Sequence, residues 1–180
     1  MAKSFQDLNE REILALAVSL EEEDGRIYGE FASRIRPDAP ATADKLKAME
    51  QEEVEHRRRL LDTYTLRFGP EIPYISRNDV KGFTKRKPVW LRDKLTVSMV
   101  RREVELMEDD SRRFYEHALL KTTDTGVRKL LGDLAAAERD HSAVAERFER
   151  EHLESGALAG EEEAQRRRFV LQVVQPIKRI

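Results

Sequence analysis

Apolar residues recur at spacings of three and four along four stretches of the chain, the period of a helix that buries one stripe. The stretches cover about residues 9–36, 40–67, 89–121 and 124–154. Each would be about 40–50 Å long at 1.5 Å per residue. Asn9 followed by Glu12 has the form of a capping box, Pro37 closes the first stretch and Gly69-Pro70 stops the second. Pro37-Asp38-Ala39-Pro40 and Thr122-Thr123-Asp124 are short links, which predict antiparallel neighbours. The segment 69–88, with Pro70, Pro73 and Pro88, is long enough to cross a bundle or to reach into a second subunit in a domain swap. The pattern therefore predicts an all-α fold: two antiparallel helical hairpins joined by one long crossover between helices 2 and 3. A short appended helix is expected after Gly156 and Gly160, running from Glu161 towards Val174.

Every one of the four stripes is interrupted by acid. Helix 1 reads Leu14, Ala17, Glu21, Asp24, Tyr28, Phe31, and helix 2 reads Leu46, Met49, Glu53, His56, Leu60. Helix 3 reads Val100, Val104, Glu108, Ser111, Tyr115, and helix 4 reads Leu131, Leu134, Glu138, His141, Ala145, Phe148. A buried unpaired carboxylate costs several kcal/mol even after relaxation. No Lys or Arg stands at these central positions to supply the compensating cations, and two divalent or trivalent metal ions would do so.

The interruptions also repeat. Glu21, Tyr28, Glu53 and His56 recur as Glu108, Tyr115, Glu138 and His141, with offsets of 87 for the first two and 85 for the last two. One Glu-x-x-His means little in a chain with 38% charged residues, and a single His on an apolar face is more often a satisfied core residue. Two copies in register are much harder to obtain by chance. Glu at i and His at i+3 share a helix face. The predicted ligands are Glu21, Glu53, His56, Glu108, Glu138 and His141, with two carboxylates bridging and one imidazole on each ion. Oxygen and imidazole donors without thiolate favour iron or manganese.

Tyr28 and Tyr115 lie two turns from Glu21 and Glu108 on the same faces. Each hydroxyl can support a ligating carboxylate of the other hairpin, or each ring can serve as an amphipathic core aromatic. Asp24 has two readings, an extra ligand or a supporting group, and Glu50 stands one turn from Glu53. His117 is turned about 180° from Glu108, and His152 is about 16 Å beyond His141, so neither is expected to ligate.

Composition narrows the partners. The 33 basic and 35 acidic residues are interleaved, leaving no basic face of the kind nucleic acid requires. There is no cysteine, which excludes disulfides, iron–sulfur clusters and zinc–thiolate sites within this chain. Met1–Asp7 has no apolar core of a signal peptide, and no stretch approaches the ~20 apolar residues of a membrane span. The expectation is a cytoplasmic chain with one domain over residues 1–154 and a charged extension over 155–180.

Leu20-Glu21-Glu22-Glu23-Asp24-Gly25-Arg26-Ile27-Tyr28, followed by Glu53-Val54-Glu55-His56, resembles the rubrerythrin branch of the ferritin-like di-iron proteins. The resemblance spans about residues 9–154 and implies a ferritin-like four-helix bundle holding two iron ions, with Mn or Zn as substitutes. It is closest to the cytoplasmic N-terminal domain of membrane-bound ferritins, in which such a domain precedes a vacuolar-iron-transporter-like membrane domain. Phe169-Val170-Leu171-Gln172-Val173-Val174-Gln175-Pro176 resembles that junction, and Arg166-Arg167-Arg168 fits its cytoplasmic flank at the bacterial inner membrane. The resemblance ends before Ile177-Lys178-Arg179-Ile180. Ser111 also departs from it, standing where many rubrerythrins carry a further ligating carboxylate.

The resemblance implies Fe(II) oxidation by O2 or peroxide, coupled to iron export or homeostasis. The alternatives are a peroxide reductase served by a separate electron donor and a metal-sensing module without redox chemistry. A homodimer, with or without exchange of the crossover, is the expected assembly.

Overall fold

The computed structural model describes residues 2–83 and 94–173, side chains at Glu149 and 157–173 excepted. Four helices carry the architecture: α1 (Glu10–Ile35), α2 (Pro40–Phe68), α3 (Val97–Lys121) and α4 (Thr125–Val173). Among the described residues there is no strand, only an isolated bridge between Lys3 and Val80. The fold is the ferritin-like four-helix bundle expected from the periodicity. α1 packs along α2 and α3 along α4, and the hairpins meet through α1–α3 and α2–α4.

Local chemistry sets the helix ends. Asn9 caps α1 by accepting from Glu12 N, while the Glu12 carboxylate accepts from Asn9 N. Pro40 opens α2, where its missing N–H costs nothing, and Gly69 ends it at φ 83°, a left-handed conformation that glycine adopts freely. Asp124 accepts from Val127 N at 2.9 Å and so caps α4.

Two boundaries differ from expectation. α3 starts at Val97, capped by the Thr96 hydroxyl, and residues 94–96 are not helical. The predicted start at Val89 lies outside the described residues, as do 84–88 of the crossover. At the other end, the expected C-terminal segment is helical but is not a separate piece. α4 runs without a break through Gly156 and Gly160 to Val173. The remainder of the tail, from Val174, lies outside the described residues.

The described part of the crossover is pinned to α1. A 3-10 turn (Arg77–Asp79) lies against α1, and Lys3 N donates to Asp79 O at 2.7 Å while Lys81 N donates to Lys3 O at 2.8 Å. The N-terminal segment is itself held by Lys121 Nζ, which donates to the Gln6 and Leu8 carbonyls at 2.6 Å.

The apolar core is divided in two. One cluster packs Leu14, Leu16, Leu60, Tyr64, Phe114 and Leu131 with their neighbours. The other packs Phe31, Leu46, Met49, Val100, Val104 and Phe148. Between them lies a layer of buried acid.

Candidate metal centre

All the stripe positions named from the sequence are buried, the acidic ones included. Glu21, Glu53 and Glu108 are 2% exposed and Glu138 3%. Each comes from a different helix, because each sits in register with the apolar residues that face the axis.

The donors fall into two groups whose ligand atoms lie within 4.8 Å of one another. The first is Glu21, Glu53, His56 and Glu138; the second is Glu53, Glu108, Glu138 and His141. Glu53 and Glu138 belong to both, so the two groups form one continuous cluster. His56 Nδ1 stands 3.2 Å from Glu21 Oε2 and 3.3 Å from Glu53 Oε2. His141 Nδ1 stands 3.1 Å from Glu53 Oε1, 3.5 Å from Glu108 Oε2 and 4.0 Å from Glu138 Oε2. The two rings are roughly stacked at 6.1 Å.

The surroundings make this layer expensive in charge. Burial pushes the Glu21 carboxyl well above the usual range, and Glu53 and Asp24 add to the rise while Tyr115 opposes it. Burial likewise raises Glu138, with Glu108, Glu53 and Glu21 adding repulsion. Burial works against the Glu53 carboxylate too, but the nearby Glu21, His141 and His56 groups hold it well below the usual range. Burial alone would lower His141, but Glu108 and Glu53 outweigh it and push the imidazole up to about 11. Protons thus neutralise the cluster when no other cation is there.

The residues fit metal ions on a further observation. Glu21 Oε2, Glu53 Oε1, Glu108 Oε2, Glu138 Oε1 and His141 Nδ1 are all buried and make no hydrogen bond. Native interiors rarely leave such atoms orphaned. Here five converge on one layer without a well-formed hydrogen bond among them, a donor set that a cation would satisfy.

The tyrosines differ from one another. Tyr115 donates a short hydrogen bond to Glu21 Oε1, across the hairpin interface, and burial with the nearby Glu21 and Glu138 raises its hydroxyl well above the ordinary tyrosine value. The Tyr28 hydroxyl is buried without a partner, and its ring meets His141 edge-on at 6.1 Å.

Asp24 and Glu50 stand outside both donor groups. Asp24 Oδ1 accepts from Arg77 Nη2 at 3.1 Å and its Oδ2 from Ser111 Oγ at 2.9 Å. Glu50 pairs with Lys47 and lies across Gly29. His117 is exposed and packs near Phe5, far in register from the cluster. Two residues near the cluster carry no signal in the stripes. Arg77, 6% exposed, arrives from the crossover and also donates to Glu23 at 2.6 Å. Glu52, on the outer face of α2, accepts from His141 Nε2 at 2.9 Å.

Four antiparallel helices that each place a carboxylate in the core, two of them with His one turn on, define a helical-bundle protein built around a buried carboxylate–histidine cluster. The family model for rubrerythrin matches residues 12–149, and the chain belongs to the rubrerythrin family. Family membership brings di-iron binding as the associated chemistry. A hypothetical protein from Pyrococcus furiosus has a similar solved structure, with a TM-score of 0.69 at 21% identity over 83% of this chain and 94% of that one, a likeness of fold. No curated protein sequence matches.

Proposed function

We propose that the protein binds two iron ions between Glu21, Glu53, His56, Glu108, Glu138 and His141, and that Fe(II) is oxidised there by O2 or peroxide. The convergence of orphaned carboxylate oxygens on two imidazole nitrogens carries this reading. Two Fe(II) ions supply two electrons, enough to reduce peroxide to water or O2 to peroxide.

The chain's own groups prepare the site. Tyr115 occupies Glu21 Oε1, which leaves Oε2 aimed at the cluster. Glu53 and Glu138 are common to both donor groups, and this supports them as the shared carboxylates. Protons held on Glu21, Glu138 and His141 leave as the ions enter, so binding strengthens with pH. The apolar clusters above and below exclude water along the bundle axis.

The likeness of residues 169–176 to the junction of membrane-bound ferritins supports a place for this oxidation in iron export or homeostasis. Among the described residues no helix is long and apolar enough to cross a membrane.

Aerobic addition of Fe(II) to metal-free protein should give ultraviolet absorbance that saturates at two irons per chain. Glu53→Ala should lose at least one of the two. An unaltered protein that binds no iron would sink the proposal. A single cycle of oxidation fits this function, whereas sustained peroxide consumption with an added reductant would point to a peroxide reductase.

A further inference from the structure

Besides Asp24 and Ser111, the internal repeat is broken at a second position beside the cluster. His141 is 3% exposed, and its Nε2 lies 2.9 Å from Glu52 Oε2, on a side chain that is 59% exposed. A surface carboxylate therefore caps a buried imidazole from outside. Once an entering ion displaces the Nδ1 proton, an acceptor on Nε2 would keep the remaining proton there and leave the Nδ1 lone pair facing Glu53, Glu108 and Glu138.

His56 faces Glu21 and Glu53 through Nδ1 in the same sense. Among the described residues, its Nε2 meets no such acceptor. The offset of 85 that relates His56 to His141 relates Glu52 to Ala137, whose side chain carries no oxygen. The hairpins repeat their ligands but not the group that orients the histidine.

We infer that Glu52 is a positioning residue for His141 and makes the two ion positions unequal. The ion between Glu108, Glu138 and His141 is held more tightly, and the one beside Glu21 and His56 exchanges more readily. The inference rests on the metal reading above. An orienting acceptor on a ligating histidine changes metal affinity by about 10–100-fold. A site with one retained and one exchangeable ion suits a protein that passes iron on.

The test is an anaerobic calorimetric titration of the full, metal-free chain with Co(II), comparing the unaltered protein with Glu52→Ala and Glu52→Gln. Two ions should bind in separable steps. Glu52→Ala should weaken the tighter step by about 10-fold and leave the weaker within about twofold. Glu52→Gln retains an acceptor oxygen and should recover most of the loss. Glu52→Gln keeps the acceptor and should match the parent in metal-free thermal unfolding, whereas Glu52→Ala leaves the buried Nε2 unpaired and should melt a few degrees lower while still folding. Variants with both steps unchanged, or both weakened alike, would overturn the inference while leaving the metal reading intact. So would a glutamine variant as weak as the alanine one. No Co(II) binding by the unaltered protein would remove the reading and the inference together.

Discussion

Glu21 and Glu138 hold protons in the metal-free bundle because burial and neighbouring carboxylates penalise each further charge. Their folded values lie above 4.5, so the stability they contribute is complete below about pH 4.5 and is lost as pH rises through those raised values. His141 acts in the same sense, its contribution complete below about 6.5 and lost as pH rises through about 11. Glu53 is the opposite case, and its contribution disappears as pH falls below the usual carboxylate range. Metal-free protein should therefore melt at lower temperature at about pH 8 than at about pH 5, and saturating Mn(II) should reduce the difference. Glu21→Gln should raise the metal-free Tm at pH 8, by about 2–4 °C for each kcal/mol of repulsion removed, while weakening Mn(II) binding. Calorimetric scans at the two pH values check both effects. These six ligand candidates were legible in the chain because each breaks an apolar stripe. Arg77 and Glu52 were not, since a loop residue and an outward-facing helix residue leave no mark in a period of 3.6.

α1 and α2 approach closely where glycine removes side chains. A Cβ on Gly25 would stand 3.3 Å from Glu53 Cβ, and one on Gly29 would stand 3.1 Å from the Glu50 carboxyl group. The Glu50 end can swing aside, so Gly29→Ala should stabilise α1 by about 0.5–1 kcal/mol. Glu53 Cβ is fixed to the α2 backbone, so Gly25→Ala should force the helices apart and weaken metal binding without that gain. Urea denaturation and Mn(II) titration separate the two outcomes. Arg77→Ala removes a buried, hydrogen-bonded cation from Asp24 and should cost about 1.5–3 kcal/mol by the same urea measurement. Helix ends were less legible than helix faces. Thr96 caps α3, but Met99 rather than an acid stands where a capping box would be completed. The apolar run Val89-Trp90-Leu91 hid that start. In α4, Gly156 and Gly160 cost only about 1 kcal/mol each, and the Ala, Glu and Arg around them carry the helix through.

The molecule as a whole has two apolar clusters, and the acid layer with its orphaned oxygens lies where they would otherwise join. That division follows from the sequence, because each stripe is interrupted at its middle and the four middles meet. What the stripes did not show is how the crossover is anchored, since the Lys3–Val80 bridge and the Arg77 ion pairs join segments far apart in the chain. The split core bears on cooperativity. A continuous core unfolds as one unit, whereas two cores separated by a repulsive seam can open one at a time. In hydrogen exchange, amides around the Leu14–Leu131 end and the Phe31–Phe148 end should show different opening free energies without metal and a common one with it. The ions would then be more than cargo: by welding the seam, they turn two foldons into one.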